Sequence, residues 1–402
     1  MKRKHAASRR DFLKTGVALT GAGIIPQQYA RAAECDPDII KAPGPLPLND
    51  VLTNIDEATK NGSGLIKTTI CNEADWERKR FSILRRSKLI MGEAPAISAG
   101  PLRPQVLAEE QRNGYKEIKI QFASGTGDMI KGYLLVPDGT RASSPRPAIM
   151  ALHATGPGAS QSVGLTPKEG REYGRELAQR GYVVLATDTI TAGERVYPGY
   201  EAYYTEAFFR EFPLWSAMGK MIHDYQRGLD YLCSLDYVDP QRLGCIGHSL
   251  GGYNSFFLQA FDPRIKAAVS SCGLSTMGGT CSPYKWVRSD WFVHFNPACR
   301  DYIQAGMVPC DVHEIMALCA PRPLFNYSAR EDAIYHPEVA QNGQGFAPWW
   351  QTIDKALSQI AALYDVLGKR DHFVRVETDG GHDFPPEVRE KAYRWLDSWL
   401  KG

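Results

Sequence analysis

The sequence predicts an α/β fold in which a mostly parallel central sheet is flanked by helices. Short apolar segments, typical of buried strands, alternate with segments of helical period from residue 115 to residue 400. The composition is that of an average globular protein, with 43% hydrophobic and 23% charged residues among 402. Parallel strands are joined by helical crossovers and buried on both faces, which accounts for strand segments that are apolar almost throughout.

Each element is placed by its apolar period and by the turn residues that bound it. Strands are predicted over Glu117–Phe122, Ile130–Val136, Ala148–Leu152, Val183–Ala186, Leu243–Ile246, Ala267–Ser270, Leu324–Tyr327 and Val374–Glu377. Helices are predicted over Glu73–Gly92, Lys168–Arg180, Met218–Leu235, Gly251–Ala260 and Pro386–Leu400. The first of these helices precedes the alternating region and is rich in charge.

The N-terminal 32 residues have the parts of an export signal in the expected order. Residues 8–14, Ser-Arg-Arg-Asp-Phe-Leu-Lys, resemble the twin-arginine signal. The apolar stretch Thr15–Ile25 is too short for a membrane-spanning helix, and Ala30-Arg31-Ala32 predicts cleavage before Ala33. We therefore predict a periplasmic or secreted protein, carried by the twin-arginine export machinery and without stable membrane insertion. The alternative is a basic amphipathic tail.

The charge balance bears on the class of partner. The formal net charge is +2, but residues 1–32 contribute +6, so the remaining chain carries −4. A mildly acidic protein has no electrostatic attraction for nucleic acid, and we predict no nucleic-acid partner.

We divide the chain into a signal peptide (1–32), an N-terminal leader with a charged helix (33–113) and a catalytic domain (114–402). Two long insertions, at about 191–217 and 274–312, interrupt the alternation and are rich in aromatic residues. Both are expected at the carboxyl edge of the sheet, where open α/β sheets bind ligands.

The chain has nine cysteines, an odd number, so at least one is unpaired or pairs between chains. Those in apolar segments are predicted to be small buried hydrophobes: Cys233, Cys245, Cys272 and Cys319. Those in the second insertion region are better disulfide candidates: Cys281, Cys299 and Cys310.

A Gly-x-Ser-x-Gly motif at residues 247–251 predicts a serine nucleophile at Ser249. The motif directly follows the apolar strand Leu243–Ile246 and directly precedes a helix. A nucleophile elbow requires this context, because a sharp strand-to-helix turn exposes the serine oxygen. The alternative is an ordinary glycine-rich turn.

A serine hydroxyl needs a base, and the base needs an orienting acid, in the chain order Ser, acid, His. His382 is the predicted base, since it follows the strand Val374–Glu377 and precedes the last helix. Asp332 is the predicted acid, with Glu331 as the alternative, because both follow the preceding strand. His313 and His336 are predicted to lie in loops, as surface residues or as hydrogen-bonded structural residues. His372 precedes the strand and is predicted to lie at its opposite end.

An oxyanion hole requires two N–H donors. One donor is predicted at Leu250, which follows the nucleophile. The other is predicted at Thr155, or alternatively Ala154, in the glycine-rich loop after the strand Ala148–Leu152. His153 is expected to support this loop.

Taken together, these segments resemble the dienelactone-hydrolase-like and acetyl-xylan-esterase-like serine esterases of the α/β-hydrolase superfamily. The matching segments are Trp76–Leu89, His153–Gly156, Asp188 with Gly193–Arg195, Gly247–Gly252, Ala320–Leu324, Asp332 with Pro337, and Gly381–Phe384. The resemblance implies an α/β-hydrolase fold and hydrolysis of a carboxylic ester, often on a carbohydrate, with no metal and no cofactor. Ser249 replaces the cysteine of true dienelactone hydrolases, and His248 and Leu250 depart from the Gly-Gln-Ser-Gln-Gly-Gly elbow of one acetyl-xylan-esterase family.

The expected substrate is a small-molecule or carbohydrate ester, acetyl or similar. Tryptophans near the expected mouth are candidates for stacking on it: Trp215, Trp286, Trp349 and Trp350. Glu194 and Arg195 either bind a substrate acid or form an internal ion pair. Two alternative functions are a prolyl-oligopeptidase-like serine peptidase and a non-catalytic carbohydrate-binding protein on a hydrolase scaffold.

Overall fold

A large twisted sheet forms the centre of the molecule. The computed structural model describes residues 46–57, 65–96, 100–166, 168–279, 283–288, 291–335 and 347–402. Its strands are β1 Thr53–Glu57, β2 Leu65–Thr69, β3 Gln105–Arg112, β4 Tyr115–Ala123, β5 Met129–Pro137, β6 Arg146–Leu152, β7 Val183–Thr187, β8 Val238–His248, β9 Ile265–Ser271, β10 Leu324–Ala329 and β11 Phe373–Thr378. β1 and β2 form a separate antiparallel pair.

Within the described residues, the other nine strands form one sheet in the order β11-β10-β9-β8-β6-β7-β5-β4-β3. The strands from β11 to β7 run parallel to one another. β5, β4 and β3 extend the sheet as an antiparallel edge. The predicted α/β fold with a mostly parallel sheet is confirmed, and the carboxyl ends of β6, β8, β10 and β11 meet at one edge.

Helices cover both faces of this sheet. In the described part of the chain they are α1 Glu73–Met91, α2 Ala159–Ser162, α3 Tyr173–Gln179, α4 Glu206–Glu211, α5 Ala217–Cys233, α6 Leu250–Phe261, α7 Cys299–Gln304, α8 Val312–Ala317, α9 Ala347–Val366 and α10 Pro386–Leu400. Short 3-10 turns lie at Gly193–Arg195, Pro283–Trp286 and Arg370–His372.

Strand β6 shows how the two cores are divided. Ala148, Met150 and Leu152 point to one face, where α1, α5, α6, α8 and α9 pack. Ile149 and Ala151 point to the other face, where α2, α3 and α10 pack. Side chains on a strand alternate between faces, so a strand covered on both faces is apolar at every position. Burying each large apolar side chain stabilises the fold by about 1.5–3 kcal/mol.

The segment predicted as a leader is joined to the rest of the fold. Arg86 of α1 forms an ion pair with the buried Glu314 of α8, with Nη2 2.5 Å from Oε1. β3 lies within residues 33–113 and pairs with β4 as the edge strand of the main sheet. The described residues from 46 to 402 belong to one compact unit.

The cysteines of the described residues differ from the prediction in one respect. Cys299 and Cys310 are free, buried thiols, so the expectation of a disulfide is wrong for these two, and Cys281 lies outside the described residues. Cys245, Cys272 and Cys319 are buried as predicted, and Cys233 is partly buried. Burial raises the pKa of the Cys245 thiol well above its usual value, which keeps the thiol protonated and inert.

The predicted signal peptide and its cleavage site lie outside the described residues, which begin at residue 46. Among the helices of the described ranges, none has both the length and the apolar composition required to cross a bilayer.

Candidate active site

Ser249 lies in the turn between β8 and α6, at the carboxyl edge of the sheet. Its backbone adopts φ 55° and ψ −116°, a conformation that non-glycine residues rarely adopt. A Cβ atom on Gly247 would lie 2.2 Å from the backbone carbon of Gly251, and one on Gly251 would lie 1.8 Å from the carbonyl oxygen of Leu152. The two motif glycines are therefore required by close packing of the turn. The result is a half-buried serine held in a strained elbow.

His382 and Asp332 are brought together from the loops that follow β11 and β10. His382 Nδ1 lies 2.6 Å from Asp332 Oδ2. Asp332 is buried, and its other oxygen accepts the N–H groups of Ile334 and Tyr335 at 3.1 and 3.2 Å. Asp332 thus accepts three hydrogen bonds, and the bond from His382 fixes the imidazole proton on Nδ1.

The second nitrogen of His382 is therefore a lone-pair acceptor. Nε2 is buried and has no hydrogen-bond partner among the described residues. The imidazole ring lies against the ring of His248, which directly precedes Ser249, with 4.8 Å between ring centroids. The geometry thus places an oriented imidazole beside the elbow, and no hydrogen bond joins Nε2 to Ser249 Oγ. Such bonds are often long before substrate binds.

The Asp332–His382 pair and the neighbouring Cys272 are together three potential metal ligands. Within the part of the chain that the structure describes, Cys272, Asp332 and His382 form the group that places its ligand atoms within 4.8 Å of one another. Two ligands of one tetrahedral zinc ion, at about 2.0–2.2 Å from it, lie about 3.3 Å apart. The 2.6 Å between His382 Nδ1 and Asp332 Oδ2 is instead the length of a charge-assisted hydrogen bond. This pair is arranged to share a proton.

The two predicted oxyanion donors lie in the segments expected for them. Leu250 is the first residue of α6, and the N–H groups of a first helical turn have no partner within the helix. Thr155 lies half-buried in the loop after β6. This loop begins next to the elbow, because the carbonyl oxygens of Leu152 and His153 both approach Gly251.

The four tryptophans predicted to contact substrate occupy different environments. Trp215, Trp286 and Trp349 are at most 4% exposed. Trp215 packs on Phe208, and Trp286 stacks on Phe295, inside the folded insertions. A ring without an exposed face cannot stack on a sugar, so these three form part of the interior. Trp350 is half-buried beside the guanidinium of Arg330 and keeps an accessible surface.

Arg195 has the structural role that was one of its two predicted alternatives. Its guanidinium is 5% exposed and donates to Asp224 at 2.7 Å and to Asp128 at 2.5 Å. Lys220 completes this cluster of charges by contacting the same two carboxylates, of which Asp224 is buried. Glu194 pairs with Lys119 on the outside of the same turn. These ion pairs fasten the first insertion to the hairpin between β4 and β5.

Two of the histidines that sequence analysis set aside can be located. His313 lies in α8 rather than in a loop, and it bonds through Nε2 to the carbonyl oxygen of Asn49 at 2.9 Å. His372 bonds to the carbonyl oxygen of Pro321 at the opposite end of the strands. Both histidines therefore make structural hydrogen bonds to the backbone. His336 lies outside the described residues.

Several buried histidines around the site are held in the neutral form. Burial lowers the pKa of His153, His248 and His294 below the usual value for histidine. His294 lies 2.5 Å through Nε2 from the hydroxyl of Tyr253, one helical turn after Ser249. Below a pH of about 6.5, these histidines bind protons in the unfolded chain but stay neutral in the folded protein, so protonation favours unfolding. Their contribution to stability is therefore present above pH 6.5 and is lost as the pH falls.

We expect the substitution His294→Leu to make the free energy of unfolding less sensitive to acid. Removing one such histidine should reduce the slope between pH 6.5 and 5.5 by up to about 1.4 kcal/mol per pH unit. Urea unfolding followed by circular dichroism at several pH values measures this slope. Between pH 7.5 and 8.5 the two proteins should show equal slopes, and equal slopes below pH 6.5 as well would contradict the expectation.

Two contacts of the acid and base were not predicted from the sequence. The Tyr335 ring packs edge-on against His382 at 5.4 Å, and its N–H donates to Asp332. Cys272 adopts φ 45° and lies beside Asp332. The first contact has a local signal, since aspartate commonly accepts N–H groups two and three residues later. The second depends on β9 lying between β8 and β10, which no local pattern reveals.

The chain is similar to known hydrolases in sequence and in fold. Residues 130–283 match the dienelactone hydrolase family. The chain is 27% identical over 331 residues to the protein named "Putative hydrolase YtaP" of Bacillus subtilis (strain 168), covering 79% of this chain and 99% of that protein. It is 21% identical to "4-O-methyl-glucuronoyl methylesterase 1" of Wolfiporia cocos (strain MD-104), covering 83% and 78% of the two chains. The glucuronoyl esterase structure from Solibacter usitatus superposes with a TM-score of 0.62 at 18% identity, covering 90% and 99%. The proteins it resembles are hydrolases, and the fold is that of the α/β-hydrolases.

Proposed function

We propose that this α/β-hydrolase, which contains a match to the dienelactone hydrolase family, is a serine esterase that cleaves carboxylic esters through an acyl-enzyme. The observation that carries the proposal is the Asp332–His382 pair at 2.6 Å, whose second imidazole nitrogen is unbonded beside the Ser249 elbow. An oriented base next to a strained, half-buried serine is the arrangement that nucleophilic catalysis requires.

In the first half of the reaction, Ser249 Oγ attacks the ester carbonyl carbon while His382 Nε2 takes the hydroxyl proton. Asp332 holds the imidazole and stabilises its charged form, and the N–H groups of Leu250 and Thr155 bind the oxyanion. The carbon–oxygen bond to the alcohol then breaks, and the imidazolium gives its proton to the departing oxygen. In the second half, His382 activates a water that attacks the acyl-enzyme and releases the acid.

The substrate class that we propose is a carbohydrate-linked ester. The support is that the named relatives include a glucuronoyl methylesterase and a glucuronoyl esterase, which cover most of this chain. Of the four candidate tryptophans, Trp350 keeps accessible surface on which a sugar ring could stack. Assays with different esters decide whether the acyl group is an acetyl group or a uronate. The twin-arginine pattern at residues 8–14 supports action outside the cytoplasm.

The test is covalent labelling of the nucleophile. A fluorophosphonate should add once per chain, peptide mass spectrometry should place the adduct on Ser249, and hydrolysis of 4-nitrophenyl acetate should fall in proportion to labelling. Acetylated xylan, a methyl glucuronate ester and a feruloyl ester then define the acyl group. Hydrolysis that survives complete labelling, or an adduct on another residue, would overturn the proposal. A protein that is neither labelled nor active would point to a non-catalytic binding role.

A further inference from the structure

The loop that carries Thr155 is held from two sides by side chains that do not belong to the proposed triad. His153 reaches back to the end of β7, and Tyr203 reaches across from the first insertion. Both make hydrogen bonds to the backbone on either side of Thr155. The direction of the Thr155 N–H therefore depends on these two side chains.

The hydrogen bonds of His153 assign its tautomer. The backbone N–H of Thr189 donates to Nε2 at 3.0 Å, so Nε2 carries no proton. The proton is then on Nδ1, which lies 2.9 Å from the carbonyl oxygen of Ala154 and donates to it. Burial lowers the pKa of His153, which keeps the ring in this neutral form. The carbonyl of the Ala154–Thr155 peptide is thus fixed.

The fixed carbonyl also orients the N–H of the same peptide. In a trans peptide the C=O and N–H bonds point in opposite directions. β6 lies between β7 and β8, and the His153 ring is bound on the β7 side, at Thr189. A trans peptide in this orientation would direct the Thr155 N–H toward the β8 side, where α6 begins at Leu250.

Tyr203 makes hydrogen bonds to the next two peptides of the loop. Its hydroxyl accepts the N–H of Gly156 at 2.7 Å and donates to the carbonyl oxygen of Gly156 at 2.8 Å. The phenol is 5% exposed, and its ring packs on Trp291 and Phe292 of the second insertion at 6.2 and 5.2 Å. The N–H of Gly156 is consequently committed to Tyr203.

The backbone of Tyr203 is itself held in an unusual conformation. Its φ is 69°, in the left-handed region, and its N–H donates to the carbonyl oxygen of Thr191 at 2.7 Å. Non-glycine residues remain in this region only where the surroundings over-determine it, and they cluster at functional sites. Both insertions thus combine to hold one hydroxyl group against the loop.

We propose that Tyr203 is a positioning residue for the oxyanion hole: with His153, its hydroxyl holds the loop so that the Thr155 N–H faces the carbonyl attacked by Ser249. This inference rests on the proposed esterase function. It gives the first insertion a role in the chemical step, in addition to any role in binding substrate. Donors held in place before reaction are the main source of oxyanion stabilisation.

The substitution Tyr203→Phe removes the hydroxyl and keeps the ring. For 4-nitrophenyl acetate we expect kcat to fall about tenfold and KM to change less than twofold, because a displaced donor weakens transition-state binding alone. The rate constant for inactivation by a fluorophosphonate should fall by a similar factor. The fraction of chains that the fluorophosphonate labels at completion measures the fraction of folded, reactive protein. Dividing kcat by this fraction corrects the rate for unfolded protein.

The matched control is Tyr200→Phe, which removes a hydroxyl in the same insertion that accepts a hydrogen bond from Arg210 at 3.0 Å. It should leave kcat and KM within twofold of the wild-type values. A Tyr203→Phe enzyme with wild-type kcat, or one in which KM rises while kcat is unchanged, would overturn the inference. Ser249→Ala is assayed in parallel: full activity there overturns the proposed function, whereas an inactive Ser249→Ala with a wild-type Tyr203→Phe overturns the inference alone.

Discussion

Replacing Ser249 by alanine is expected to lower kcat for ester hydrolysis by at least about 10⁴-fold. The alanine variant has no oxygen to form the acyl-enzyme, so only unaided attack by water remains. The residual rate would come from the oxyanion donors and from substrate binding, neither of which the substitution removes. Initial rates with 4-nitrophenyl acetate, and with whichever carbohydrate ester the wild-type protein cleaves, measure the loss.

Ser255→Ala provides the matched control for this substitution. Ser255 lies on α6, six residues after the nucleophile, and is buried with its hydroxyl bonded to the carbonyl oxygen of Gly252. Removing that hydroxyl should leave kcat within about twofold, because alanine is favourable in a helix and no reacting atom is nearby. Equal activity of the Ser249→Ala and wild-type proteins would mean that the elbow serine is not the nucleophile.

The second large effect is expected from Asp332→Asn, which should lower kcat by about 10³- to 10⁴-fold. Asparagine keeps an oxygen that can accept the N–H groups of Ile334 and Tyr335, so the loop should retain its shape. Its amide, however, is able to donate to His382 Nδ1, which would move the imidazole proton to Nε2. An imidazole protonated on Nε2 cannot accept the proton of Ser249. Comparing kcat of the purified Asp332→Asn and wild-type proteins near pH 8 tests this prediction.

The substitution Glu331→Gln tests which of the two candidates, Asp332 or Glu331, is the acid of the proposed triad. Glu331 is exposed, whereas Asp332 is buried and bonded to the imidazole. We expect Glu331→Gln to keep kcat within about threefold, since an exposed carboxylate is screened by water. A large loss in Glu331→Gln together with an active Asp332→Asn would reverse the assignment of the acid.

The parts of the fold that the sequence predicted well have local causes. The elbow at 247–251 is predictable because glycine, serine and glycine at that spacing satisfy a steric requirement within five residues. Helix α10 begins and ends where predicted, because proline lies at its first turn and its apolar residues have a helical period. Asp332 and His382 are predicted from the order of the strands along the chain, since each residue follows one of the last two predicted strands.

The parts that the sequence did not predict depend on position in the sheet or on distant contacts. The sequence does not predict β3 as a strand of the main sheet, because Gln105–Arg112 has no regular alternation of polar and apolar residues. In the structure every residue from Gln105 to Gln111 of this edge strand is exposed. α9 was not predicted, although Ile353, Leu357 and Ile360 give it a helical period. Contacts such as Tyr203 with Gly156 join residues that are 47 positions apart, and no local pattern reports them.

The order of strands across the sheet has a consequence for the newly made chain. Ser249 follows β8, but the proposed base follows β11, which is docked on β10 at the sheet edge. At a synthesis rate of about 5–20 residues per second, the ribosome adds His382 on the order of ten seconds after Ser249. During that interval the emerging polypeptide holds the proposed nucleophile without its proposed base. Turnover by the proposed esterase would therefore report that the final strand has joined the sheet.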